Sequence, residues 1–206
     1  MGSRVYRDVV YKEAMDINRA EEILLEAKEL FDACDVEFFL ICGTCLGAIR
    51  DNIIFPFDGD LDIGVKHEIL IPKLDELEKA FLDKGYAVEY RSCQYGYKRS
   101  VDYRKDGIHI CVRDYDIAGD FRFHARIICP DNNTPDGTCS VFPKEIFEGL
   151  KTIGFLGESF LVPNPPEDFM EYHFGDWRTP RPTDHVCQAD IPDAFNKLME
   201  LKKGNR

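Results

Sequence analysis

The chain has 206 residues, 44% hydrophobic and 31% charged, enough for one domain with a sizeable core. Its net charge of −12 argues against a non-specific grip on nucleic acid or on an anionic membrane. No apolar run approaches the roughly 20 residues that span a bilayer, and MGSRVYRDVV lacks a signal-peptide core and has Tyr6 where a myristoylation signal takes Ser or Thr.

Residues 12–34 carry a helical apolar stripe: Ala20, Ile23, Leu24, Ala27, Leu30, Phe31 and Cys34. VEFFLI (36–41) reads as a short buried strand, CGTCLGAIRDN as a turn entering a short helix, and LDIGV (61–65) as a second strand. Pro72 then opens a second helix, striped by Leu70, Leu74, Leu77 and Phe81 and stopped at Lys84-Gly85. Four strands follow at 86–90, 97–104, 107–115 and 121–129, several alternating apolar with polar. DNNTPDGT (131–138) is turn chemistry, VFPKEIFEGL a short helix, and KTIGFLGESFLVP a hairpin around Leu156-Gly157-Glu158. Residues 166–174 form one more helix before a Pro-rich exit, and 192–203 a peripheral one. The order predicts an α+β fold, with a mixed β-sheet flanked by helices in a single domain. Its core spans about 12–182, and 183–206 is a C-terminal extension.

Asp58, Asp60 and Asp62 alternate at the mouth of the second strand. On a strand, positions i and i+2 share a face, and two carboxylates side by side repel unless a cation compensates. A hard divalent ion, Mg²⁺ or Mn²⁺, is the natural partner. Upstream, Gly43-Thr44 follows a strand and opens a helix, a place where backbone amides meet a phosphate.

A strand, Gly-Ser/Thr, a helix and then D-x-D on the next strand resembles the nucleotidyltransferase (polymerase-β-like) superfamily. Within it, FFLICGTCLGAIRDNIIFPFDGDLDIGV is similar to the LicD/fukutin signature, an apolar strand, CGTLLGAVR and PWDDDIDI. VFP at 141–143 and FLGESFLVPNPPEDFMEYHFGDWRTP (155–180) resemble the family's later blocks. The resemblance implies transfer of a phospho-alcohol, phosphocholine- or ribitol-phosphate-like, from a CDP-linked donor to a sugar hydroxyl. Asp60 and Asp62 would hold Mg²⁺ (or Mn²⁺), Gly43 and Thr44 the donor phosphates, and Arg50 a phosphate oxygen. Asp58 would stand behind the metal or cap the strand, and His109 would approach the substrate. The partners implied are a nucleotide-diphosphate-linked donor and a carbohydrate acceptor, with no nucleic acid.

Two departures matter. Gly59 replaces a middle acid, and Cys111 stands where H-[IV]-D-[IV] would carry a third carboxylate. Asp114 is the preferred substitute, with Asp116 the other candidate; Asp114 has the opposite strand parity to Cys111, so a bulge is required to swap one for the other. Loss of that acid leaves a nucleotide- or glycan-binding pseudoenzyme as the alternative. Cys42-Gly-Thr-Cys45 raises a thiol oxidoreductase as a less favoured one. Trp177, the lone tryptophan, is read as packing the C-terminal segment on the core. Most of the eight cysteines lie in apolar segments, which suggests reduced thiols in a cytoplasmic chain, a disulfide framework being the alternative.

Overall fold

The computed structural model describes residues 14–92, 98–128, 136–180 and 189–191, with residues 194, 197, 198, 200 and 201. Helix α1 (Ile17–Ala33) starts where Asp16 accepts a hydrogen bond from the Arg19 amide (3.1 Å), and it buries the predicted stripe. Strand β1 (Phe38–Leu40) is buried throughout. Helix α2 (Cys42–Leu46) runs into a π turn over Gly47–Asp51, and Asn52 ends it in a left-handed conformation. Strand β2 (Leu61–Lys66) leads directly into α3 (His67–Asp83). That helix begins ahead of Pro72, which lies inside it. The ring forgoes one intrahelical bond, to the Glu68 carbonyl, and apolar packing of Leu70, Leu77 and Phe81 outweighs that loss.

Strands β3 (Ala87–Ser92), β4 (Lys98–Lys105), β5 (Ile108–Ala118), β6 (Phe121–Ile128) and β7 (Asp136–Pro143) follow. DGT, read as turn, thus opens β7, and VFP closes it before a 3₁₀ turn at Lys144–Phe147. Ladder bonds to β6 override the local turn preference. Strands β8 (Lys151–Phe155) and β9 (Glu158–Val162) form the expected hairpin, followed by α4 (Pro166–Phe174) and a two-residue β10 (Asp190–Ile191). Residues 194, 197, 198, 200 and 201 are helical; the rest of the tail helix, like 131–135 of the predicted turn, lies outside the described residues.

The main sheet is mixed. β2 pairs antiparallel with β1 and parallel with β5; β4 lies antiparallel on the other side of β5 and pairs with β3. Further along, β5 passes to β6, then β7 and β10. The two faces of the central strands differ in what covers them. On one, Phe81 of α3 stacks on Tyr103 at 3.7 Å and Phe31 of α1 meets Phe81 edge-on, so these helices cover Tyr103, Ile110 and Val112. On the other, Tyr115 joins Phe39, Phe142, Phe147 and Phe169 in an aromatic cluster. The candidate site occupies this second face.

Candidate active site

Register brings the acids together. Asp62 of β2 lies opposite Cys111 of β5, and Asp102 of β4 lies opposite the same Cys111. Cross-strand partners project to the same face, so Asp62, Cys111 and Asp102 form one row across three strands. His109 and Arg113 flank Cys111 at i−2 and i+2 on that face. Asp60, just before β2, sits at the mouth with 29% of its side chain exposed, whereas Asp62 keeps 7%.

The carboxylates of Asp60 and Asp62 approach within 4.8 Å of each other and of the Cys111 sulfur. Burial pushes the Asp62 carboxyl up to about 6; Arg113 opposes that rise, and Asp60 adds to it. Arg113 Nη2 reaches Asp62 Oδ1 at 3.2 Å; burial is the largest influence on its pKa and lowers it, but Asp62 together with Cys111, Cys42 and Tyr115 raises it on balance. The two partners shift in the same direction. The attraction acts on both, but on the acid burial outweighs it. One guanidinium therefore leaves the acid pair under-compensated, and these donors fit a hard divalent cation.

Thr44 ties this row to α2: its Oγ1 accepts a hydrogen bond from the Asp62 amide at 2.8 Å, deep in the protein. Gly43 allows a close approach. A Cβ there would stand 1.9 Å from Asp58 Oδ2, while Asp58 Oδ1 accepts from the Gly59 amide at 3.0 Å. Arg50 is turned to structural partners: Nη2 donates to Asp51 Oδ2 at 2.8 Å and Nη1 to the Trp177 carbonyl at 3.1 Å. That bond anchors the segment after α4, where Trp177 is buried in the core as the sequence reading preferred.

Asp114 does not join the others. β2 and β5 run in unbroken register past it, with no bulge, so it projects to the helix-covered face and binds His67 Nδ1 at 2.6 Å. Asp116 shares that parity, and its Oδ1 accepts from the Ile117 amide. The acid beside Cys111 is instead Asp102, 1% exposed and absent from the sequence reading. His109 does lie at the site, with Nε2 at 3.1 Å from Asp102 Oδ2 and Nδ1 at 4.0 Å from Asp60 Oδ2. Arg113 was missed as well. A turn signal in the sequence locates Asp102: the two-residue Asp106-Gly107 hairpin fixes Lys105 against Ile108, and stepping back three pairs sets Asp102 against Cys111.

The C-x-x-C supports no thiol chemistry. Desolvation pushes both the Cys42 and Cys45 thiols well up, the reverse of an activated cysteine, and the described cysteines 34, 42, 45, 111 and 139 are all free.

Residues 35–165, more than half of the chain, match the family described as LicD/FKTN/FKRP, nucleotidyltransferase domain. The chain belongs to the LicD/FKTN/FKRP family. Membership supports a transferase, and the mixed sheet flanked by helices suits the family's nucleotidyltransferase domain. Among curated proteins it is similar to the uncharacterized protein RP689 of Rickettsia prowazekii (strain Madrid E), 38% identical over 69 residues, 34% of this chain and 26% of that protein. It is similar too to RT0683 of Rickettsia typhi (strain ATCC VR-144 / Wilmington), 33% identical over 69 residues, 34% of this chain and 22% of that protein. The match thus spans about a quarter of each relative's length. Among solved structures, ANT(2")-Ia in complex with adenylyl-2"-tobramycin aligns with a TM-score of 0.45 and 13% identity over 90% of this chain and 88% of that one. A solution structure of ANT(2")-Ia aligns at 0.48 and 13%, covering 93% and 85%. Among the described residues of this LicD/FKTN/FKRP chain, no helix is long and apolar enough to cross a membrane.

Proposed function

We propose that this chain transfers a phospho-substituted alcohol from a CDP-type donor to a sugar hydroxyl, with Mg²⁺ or Mn²⁺ held by Asp60 and Asp62. The observation that carries this reading is the under-compensated acid pair in a chain of this family, Asp62 buried with its carboxyl raised and Asp60 open at the mouth. A divalent ion there would supply charge neutralisation for the donor diphosphate. The chain's own groups do the rest. Thr44 holds the Asp62 backbone, and through it the carboxylate, in place. Arg113 fixes one Asp62 oxygen, which leaves the other and Asp60 for the ion. Gly43 lets Asp58 brace the loop that carries Asp60. Asp102 takes over as the third carboxylate from Asp114, on the opposite face. Arg50, bound to Asp51 and Trp177, positions the π turn and is a phosphate ligand only if those bonds open.

Mg²⁺ or Mn²⁺ together with a CDP compound should raise the melting temperature, and Asp60→Asn with Asp62→Asn should abolish the rise. CMP release with a sugar acceptor then separates an enzyme from a binding protein. A wild-type chain that ignores both metal and nucleotide would end this reading. Binding with no CMP released under any acceptor would favour the pseudoenzyme, which the substitution of Cys111 for an acid motivates.

A further inference from the structure

Asp102, His109 and Cys111 converge in a way the carboxylate pair does not explain. Their ligating atoms lie within 4.8 Å of one another, and all three side chains are buried, at 1%, 8% and 0% exposure. One carboxylate spans the other two groups: Asp102 Oδ1 is 3.3 Å from Cys111 Sγ, and Oδ2 is 3.1 Å from His109 Nε2. The first contact has the geometry of a thiol donating to a carboxylate. The second does not: His109 Nε2, buried and close to Asp102, lies off the axis of a hydrogen bond and has no partner of that kind. Two donors that face a common point rather than each other behave this way. In a tetrahedral zinc site with bonds of about 2.0 Å to nitrogen or oxygen and about 2.3 Å to sulfur, neighbouring donors stand roughly 3.3–3.5 Å apart. The 3.3 Å and 3.1 Å spacings run to different Asp102 oxygens, so one of them is an edge of such a site, and the remaining donors lie within the 4.8 Å span of the cluster.

Charge and chemistry agree. Asp60, Asp62 and Asp102 gather around Cys111, and Arg113 pairs with Asp62, so carboxylates crowd this face among the described residues. Imidazole, thiol and one carboxylate are a softer set than the oxygens of Asp60 and Asp62, and select a thiophilic ion over Mg²⁺. The other ring nitrogen of His109, Nδ1, faces Asp60, 4.0 Å away, on the side where metal-bound histidines find a carboxylate.

We infer that Asp102, His109 and Cys111 bind a thiophilic divalent cation of the zinc class, beside the Asp60 and Asp62 pair, with Asp102 standing between the two sites. Three protein donors leave a fourth position open. The inference does not depend on the transferase reading, because its test contains no nucleotide. The chelator-treated full chain is titrated with Co²⁺ and followed by absorption. One equivalent should produce a thiolate-to-cobalt charge-transfer band with tetrahedral d–d bands, bleached by Zn²⁺. Cys111→Ser and His109→Gln should remove the charge-transfer band; Cys42→Ser and the Asp60→Asn, Asp62→Asn pair should retain it. No band in the wild type, or one that survives Cys111→Ser or His109→Gln, overturns the inference. A band lost in the Asp60, Asp62 variant hands the thiolate to that pair and overturns it equally. If the variants do not fold, zinc-edge X-ray absorption of the loaded wild type decides. One sulfur at about 2.3 Å and one imidazole nitrogen near about 2.0 Å are expected, and an all-oxygen shell refutes the assignment.

Discussion

Asp62 answers to two opposed demands, and its titration exposes both. Its carboxyl is raised to about 6 by burial, against the pull of Arg113 and of His173 on α4, and Asp60 raises it further. In the metal-free chain the folded form therefore holds a proton that the unfolded form gives up near pH 4. Folded stability should fall as pH rises from about 4 to about 6, by up to roughly 3 kcal/mol from this group alone. A cation takes the deprotonated pair, so the melting shift given by saturating Mg²⁺ should be small at pH 5 and grow to pH 7. Melting curves across that range, with and without Mg²⁺, check the sign; a shift largest at low pH contradicts it. Gly43 makes a different residue-scale prediction. Its missing Cβ leaves room for a carboxylate oxygen, the far end of a side chain that can swing aside. Gly43→Ala should therefore cost less than about 1 kcal/mol in urea unfolding, yet move Asp58 and weaken donor binding several-fold by calorimetry. A large loss of stability with unchanged binding would mean that Gly43 serves the fold alone.

At the scale of elements, helices and strands were legible because their apolar periods are strong, and the acid pair because a strand period of two puts alternate carboxylates on one face. Family spacing draws attention along β5, to Asp114, rather than across to β4, where Asp102 lies opposite Cys111. Strand parity already spoke against Asp114, and the Asp106-Gly107 turn, with φ of 50° and 81°, specified which residue faces Cys111. Asp102 lies in a strand of mixed pattern, where a buried acid leaves no periodic signature. Pro72 misled in the same way: a proline marks the first turn often, but packing can carry a helix ahead of it. The proposed roles of Asp102 and Asp114 separate by experiment. Asp114→Asn disturbs the His67 contact that joins α3 to β5 and should lower stability by about 1–3 kcal/mol. It should leave the Mg²⁺–CDP melting shift in place. Asp102→Asn should diminish that shift. The reverse pattern would return the third carboxylate to Asp114.

The whole molecule depends on residues beyond the family match. That match stops at residue 165, ahead of α4, but the aromatic cluster on the site's face does not. Phe169 packs on Phe142 at 5.1 Å and on Phe147 at 6.0 Å, and Phe147 reaches Tyr115 of β5 and Phe39 of β1. Phe169 and Met170 are fully buried, and Trp177 keeps 8% exposure. Each such side chain contributes about 2–3 kcal/mol by burial, so together they supply roughly 6–9 kcal/mol, comparable to the net stability of about 5–15 kcal/mol typical of a domain. The Trp177 carbonyl also holds Arg50 on the π turn that follows the Gly43-Thr44 helix, which links the C-terminal segment to the position of the acids. A chain ended at residue 165 should lose cooperative urea unfolding and associate in size-exclusion chromatography, its exposed Phe142, Phe147 and Tyr115 forming an apolar patch. If the shortened chain stays monomeric, unfolds in one sharp transition and keeps its Mg²⁺ response, α4 and Trp177 are an appendage. Residues 1–165 would then be self-sufficient.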